Sequence, residues 1–231
     1  MNLLDQPIGV IARDLPGASR IFHHYQLDFC CNGQRLLGEV LAEQGIVPAL
    51  VVAGLETLLA QHDQAKSWTN EPISTLIGHI LDRYHAVHRE QLTELLRLAR
   101  RVELVHGDKA ECPHGLADHL DAMRQELESH MQKEEQILFP MLRRHLADQA
   151  RGPITIMRLE HDEHDEALAR MVRLARDLEL PPGACNTWRA LYAGLTEFKD
   201  DLLQHIHLEN NLLFDQDYLS NSNKHQEVQH G

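Results

Sequence analysis

Two ten-residue segments of this chain are versions of each other. HMQKEEQILF starts at His130 and HIHLENNLLF at His205, and His130, Glu134, Leu138 and Phe139 return as His205, Glu209, Leu213 and Phe214. A second pair, HAVHREQL from His85 and HDEHDEAL from His161, aligns His85 with His161, His88 with His164, Glu90 with Glu166 and Leu92 with Leu168. The offsets are 75 and 76 residues, so one hairpin of two helices, carrying His and then His-x3-Glu, occurs twice. A duplicated hairpin packs naturally about a pseudo-twofold axis, which brings corresponding residues together in the middle of a bundle.

The apolar periodicity supports this reading. Residues 72–106, 114–146, 153–180 and 184–216 repeat their apolar positions at three and four, and Gly107, Pro113, Gly152-Pro153 and Pro181-Pro182-Gly183 separate them. The pattern predicts an all-α fold, an up-down-up-down four-helix bundle. In the second helix the stripe Leu116, Leu120, Met123, Leu127 continues onto His130 and Glu134 and resumes at Ile137 and Met141. In the fourth, Trp188, Leu191, Leu195, Phe198 and Leu202 lead to His205, Glu209 and Leu212. Ile77 and Leu81 lead to His85, His88, Leu92 and Leu95, and Ile154 and Met157 to His161, His164, Leu168 and Met171. Every member of the repeat falls in the stripe that faces the core.

A single His-x3-Glu pair is an ordinary helix-surface contact, worth a few tenths of a kcal/mol. Two buried glutamates and at least four buried histidines, aligned by a repeat, are another matter. Buried carboxylates are costly unless they are paired or coordinate a metal. Four histidines and two carboxylates exceed one tetrahedral zinc. Shared between two ions, they give two imidazoles and two bridging oxygens each. A bridging oxo or hydroxo group makes five ligands of an octahedral six and leaves one position open. Mixed imidazole and carboxylate ligation with open positions suits iron, while zinc and manganese stay possible on residues alone. The spacing leaves open the choice between His85 and His88, and between His161 and His164.

The remaining features set the context. Residues 1–62 read as a small domain of four short helices around a Cys30-Cys31-Asn32-Gly33 turn, small enough to lean on a partner surface. Residues 61–72 read as a polar linker, 72–216 as the bundle and 217–231 as a frayed polar tail. The 22 Lys and Arg against 35 Asp and Glu give a net charge of −13, which argues against nucleic acid or an acidic membrane surface as partner. The longest nearly apolar run, residues 46–55, is half of what a membrane span needs, about 20 residues. With no basic, apolar leader at the N-terminus, the expected location is the cytoplasm. There the four cysteines, Cys30, Cys31, Cys112 and Cys185, are expected as thiols. Cys112 and Cys185 carry no assigned role.

The DQPIG opening, YQLDFCCNG, RYHAVHREQL, SHMQKEEQILFPM, the EHDEH run and HIHLENNLLF together resemble the bacterial iron–sulfur cluster repair di-iron proteins, the repair-of-iron-centres family of hemerythrin-like bundles. The resemblance covers nearly the whole chain. It implies two iron ions held by His85, His130, Glu134, His161, His205 and Glu209, with Glu134 and Glu209 as bridging carboxylates, and so favours His85 over His88 and His161 over His164. It implies repair of iron–sulfur clusters damaged by nitric oxide or peroxide, with damaged or apo iron–sulfur proteins as partners and nitric oxide as a ligand. Iron supply is the expected means, so the protein leans away from being an enzyme. The alternatives are a nitric oxide reductase releasing nitrous oxide and a sensor of O2 or NO. Cys30 and Cys31 are candidate redox or metal-transfer thiols, and Glu126 and Glu160 candidate linings of an iron route. A homodimer is compatible with the leading domain swapping between subunits. The chain departs from the family pattern at Leu-Leu-Phe-Asp in the second repeat, at the extra His164 and in its longer tail.

Overall fold

A computed structural model describes residues 2–15, 17–60, 68 and 71–215. The polar tail and most of the linker lie outside the described residues. Among these the fold is all-α: a helical bundle plus a small helical N-terminal domain, with one isolated bridge, Pro7 to Leu36, and no strand. The chain packs as two units, one formed by Met1–Ile77, Leu142–Asp148 and the segment from Leu203 onward, the other by Gly78–Met141 and Gln149–Leu202.

In the first unit the four short helices are α1 (Ile8–Asp14), α2 (Ala18–His24), α3 (Leu37–Gln44) and α4 (Pro48–Ala60). They fall where the short apolar runs stand. Gly45, at φ 67°, closes α3 in the left-handed conformation that costs a glycine nothing. Ile8, Phe22, Phe29, Leu37, Leu41 and Leu55 are fully buried. Within this unit α1 packs on the turn Glu209–Leu213, and Leu212, Leu213 and Phe214 are buried.

The helices that follow are α5 (Ile73–Ile80), α6 (Ala86–His106), α7 (Leu116–Lys133), α8 (Phe139–Arg143), α9 (Ala147–Leu174) and α10 (Asn186–Leu208), and the second unit holds most of the long ones, α6, α7, α9 and α10. The α6–α7 pair is an extended packing contact, and the Ala117 amide at the start of α7 donates to Glu103 Oε1 at 3.0 Å. The stripes are buried as expected through Leu116, Leu120, Met123 and Leu127, through Ile154, Met157, Leu168 and Met171, and through Trp188, Leu191, Leu195, Phe198 and Leu202.

Three expectations need correction. Pro153 does not start a helix; α9 begins at Ala147 and runs through it. A proline near the first turns removes one backbone bond and already has helical φ, and buried Ala150 and Ile154 anchor that turn to the core. The same helix stops at Leu174, short of residue 180, because Arg176, Asp177 and Leu178 all take positive φ, through which no right-handed helix continues. The third correction is one of register. Each of the turns Leu81–His85, Glu134–Leu138 and Glu209–Leu213 is a π turn, with one residue more than an α turn. After Glu134 the core stripe therefore moves on by one: Ile137 is 54% exposed and Met141 half-buried, while Leu138, Phe139 and Leu142 are buried. In the first long helix Ile80 and Tyr84 take the core positions and Leu81 is half-buried. Among the described residues no helix is long and apolar enough to cross a membrane.

Candidate metal centre

The π turns fall on the repeat. The first ends on His85, and the second and third begin on Glu134 and Glu209. In the second unit His85, His130, Glu134 and His161 are buried to 1% or less. Glu134 stands between two imidazoles: its Oε2 is 3.4 Å from His85 Nε2 and its Oε1 is 3.4 Å from His130 Nε2. His161 Nε2 is 3.2 Å from His130 Nε2. One ligand atom each from His130, Glu134 and His161 lie within 4.8 Å of one another.

The outer ring nitrogens explain this orientation. His85 Nδ1 lies 2.8 Å from Glu135 Oε1, which also accepts from Arg89 at 2.9 Å; Arg89 in turn pairs with Glu128. His130 Nδ1 lies 2.9 Å from Glu160 Oε2, and Glu160 also holds Lys133. The hydrogen bond with His130, and then Lys133, hold the Glu160 carboxyl at about 2, well below its ordinary value. These partners assign the proton to Nδ1 on both rings, which leaves a lone pair at each Nε2 pointing inward. Lone pairs and carboxylate oxygens facing one another are the donor set of a cation. The spacing agrees: with metal–ligand bonds of about 2.1 Å, neighbouring ligands on one octahedral ion stand about 3.0 Å apart. The Glu134 carboxylate offers one oxygen on the side of each of the two histidines. The residues present fit iron.

In the first unit, His205 and Glu209 form the matching pair, His205 Nε2 lying 3.2 Å from Glu209 Oε1, both buried. The helix α10 carries the apolar stripe up to Leu202 and then these two residues without interruption into the π turn.

The other predicted residues are placed as follows. His88 is buried and sets its Nδ1 3.1 Å from Gln91 Oε1; Gln91 donates to Asp201 at 2.8 Å, and Asp201 pairs with Arg83. His164 is buried with its ring edge-on to His130, centroids 4.9 Å apart. Glu126 is exposed, and Glu160 sits on His130 and Lys133. Cys30 is buried with its Sγ 3.8 Å from the Leu203 carbonyl oxygen, whereas Cys31 is exposed and its amide donates to Asp28 Oδ1 at 3.0 Å. No disulfide joins the four cysteines. Sequence reasoning missed Glu135 and Arg89. Glu135 was visible as the second glutamate of KEEQ, but a helix position beside the stripe reads as solvated until the neighbouring helix supplies His85.

Residues 76–216 match the family model of the hemerythrin HHE cation binding domain, and residues 4–59 match ScdA_N, a domain of unknown function (DUF542). The chain is 46% identical over 214 residues to the iron-sulfur cluster repair protein YtfE of Yersinia pseudotuberculosis serotype O:1b (strain IP 31758), covering 93% of this chain and 97% of that protein. The protein of the same name from Yersinia pestis (strain Pestoides F) is similar to the same extent, at 46% identity and the same coverage. The chain thus belongs to the hemerythrin-type cation-binding family and, within it, to the group of the iron–sulfur cluster repair proteins.

Proposed function

We propose that His85, His130, Glu134, His161, His205 and Glu209 together hold two iron ions, bridged by Glu134, Glu209 and an oxo or hydroxo group, and that the protein supplies this iron to iron–sulfur proteins damaged by nitric oxide or peroxide. The observation that carries the reading is the Glu134 carboxylate, with one oxygen 3.4 Å from each of two histidines on different helices. The repeat gives Glu209 the same place in the second hairpin. The names of the relatives support the repair role.

When bound, iron supplies open coordination positions and a one-electron change of charge. The chain's own groups do the rest. Glu135 and Glu160 fix the His85 and His130 rings so that Nε2 faces inward, and Arg89 and Lys133 pair with those carboxylates and hold them in place. Two neutral imidazoles per ion, with no thiolate, hold ferrous iron loosely enough for it to be cargo. Glu126 and Glu160 mark its exit, with nitric oxide as a competing ligand. Cys30 and Cys31 form a thiol site for redox chemistry or metal transfer. The proposal includes a leading domain at 1–62, the di-iron bundle at 72–216, a cytoplasmic location and a homodimer.

The test is transfer. Protein purified without oxygen should show two irons per chain and a di-iron Mössbauer spectrum, and it should restore the cluster absorbance of an apo ferredoxin-type acceptor as its own iron is lost. Iron that stays bound while the acceptor remains apo refutes the reading. Nitrous oxide formed over many turnovers with an electron donor would replace it by a nitric oxide reductase, and reversible O2 binding by a sensor.

A further inference from the structure

The two copies of the repeat part company just after the glutamate. In the first copy Glu134 is followed by Glu135, which bonds His85, and by exposed Gln136. In the second, Glu209 is followed by Asn210 and Asn211, and both amides turn to the N-terminal domain. Asn210 Nδ2 donates to the Cys30 carbonyl at 3.4 Å and Asn211 Nδ2 to the Phe29 carbonyl at 3.2 Å. The same Asn211 amide nitrogen lies 3.1 Å from His207 Nδ1, and the buried His207 ring packs on Phe29 with centroids 5.6 Å apart.

Asn211 Oδ1 enters between two glycines. Gly9 donates its amide to the Gly33 carbonyl at 2.8 Å. A Cβ on Gly33 would stand 2.4 Å from Asn211 Oδ1 and 2.8 Å from the Phe29 carbonyl oxygen. One on Gly9 would stand 2.7 Å from Asn211 Oδ1 and 2.9 Å from Gly33 Cα. No side chain fits at either place, because backbone as well as the asparagine blocks it. The N-terminal domain is thus shaped to receive this one amide, two residues after Glu209.

We propose that Asn211 is a positioning residue for the metal centre: by clamping the Phe29–Gly33 loop to the π turn it fixes Glu209, so that metal binding and docking of the N-terminal domain are thermodynamically linked. This rests on the reading that His205 and Glu209 hold metal. Fixing the turn in advance removes an ordering cost that metal binding would otherwise bear, and linkage makes the effect reciprocal. Loss of a partner that orients a metal ligand lowers metal affinity by about 10–100-fold.

The experiment compares the full-length protein with Asn211→Ala and with Gln136→Ala, its counterpart in the first repeat. Chelator competition with ferrous iron should show affinity about tenfold or more lower in Asn211→Ala and within about twofold of wild type in Gln136→Ala. A second measurement needs no variant: amide hydrogen exchange at residues 29–33 should slow when the wild-type protein is loaded with iron. Asn211→Ala should lose that response while still binding metal. Wild-type affinity in Asn211→Ala, or exchange at 29–33 indifferent to iron that is demonstrably bound, overturns the proposal. A wild-type protein that binds no iron sinks the functional reading instead.

Discussion

Replacing Glu160 by Gln keeps the side chain's length and one oxygen acceptor and removes its charge. Glu160 accepts from His130 Nδ1 at 2.9 Å and holds Lys133. A hydrogen bond to a charged group is worth about 1.5–3 kcal/mol and a neutral one about 0.5–1.5. The difference, about 1–2 kcal/mol, is felt when His130 Nε2 takes up a cation, because the carboxylate then stabilises charge drawn through the ring. At about 1.4 kcal/mol per decade, ferrous affinity should fall by about 5–30-fold. The metal-free protein loses the charge on its His130 hydrogen bond as well as the pair with exposed Lys133, about 1–2 kcal/mol in all. Chelator competition gives the Kd, stopped-flow mixing with excess chelator the release rate, and urea unfolding of the apo protein its stability. The expected result is a raised Kd, faster release and an apo stability lowered by no more than about 1–2 kcal/mol. An unchanged Kd with binding and release slowed equally refutes the positioning role of Glu160 and leaves only its place on the path that iron travels.

Glu134→Gln preserves shape but cannot serve as an anionic bridge, so iron per chain by elemental analysis should fall below half that of wild type while helical circular dichroism is retained. The π turn after Lys133 is tested by a pair of alanines: Leu138→Ala should destabilise by about 2–5 kcal/mol in chemical denaturation, and Ile137→Ala by about 0.5 kcal/mol or less. A regular α-helix would reverse that order. Thiol alkylation mapped by mass spectrometry should label exposed Cys31 first and buried Cys30 and Cys112 last. Burial, then Glu103 and Asp108, push the Cys112 thiol up, so less of it is thiolate at neutral pH and its labelling rate should still be rising above pH 9.

The bundle was legible because burial on a helix follows the same period as the residues themselves. His130 and Glu134 continue a stripe of leucines and methionine, and the structure buries all of them. The repeat then named which polar residues to watch. The register beyond Glu134 was not legible: Ile137 and Leu138 are equally apolar, and nothing local announces a turn with an extra residue. Pro153 misled for the complementary reason, since a local breaker was outweighed by core contacts on either side of it.

Periodicity and duplication along the chain were enough to establish the helical class, the four stripes, the small cysteine-bearing N-terminal segment and the set of buried histidines and glutamates. Tertiary structure alone decided that Glu134 faces both His85 and His130, that Glu135 and Glu160 orient those rings, and that Asn211 enters between Gly9 and Gly33. Each of these contacts joins helices or loops far apart in sequence. A side chain's partner across such a gap depends on helix crossing and register, which a π turn shifts by a residue and a one-dimensional pattern does not contain.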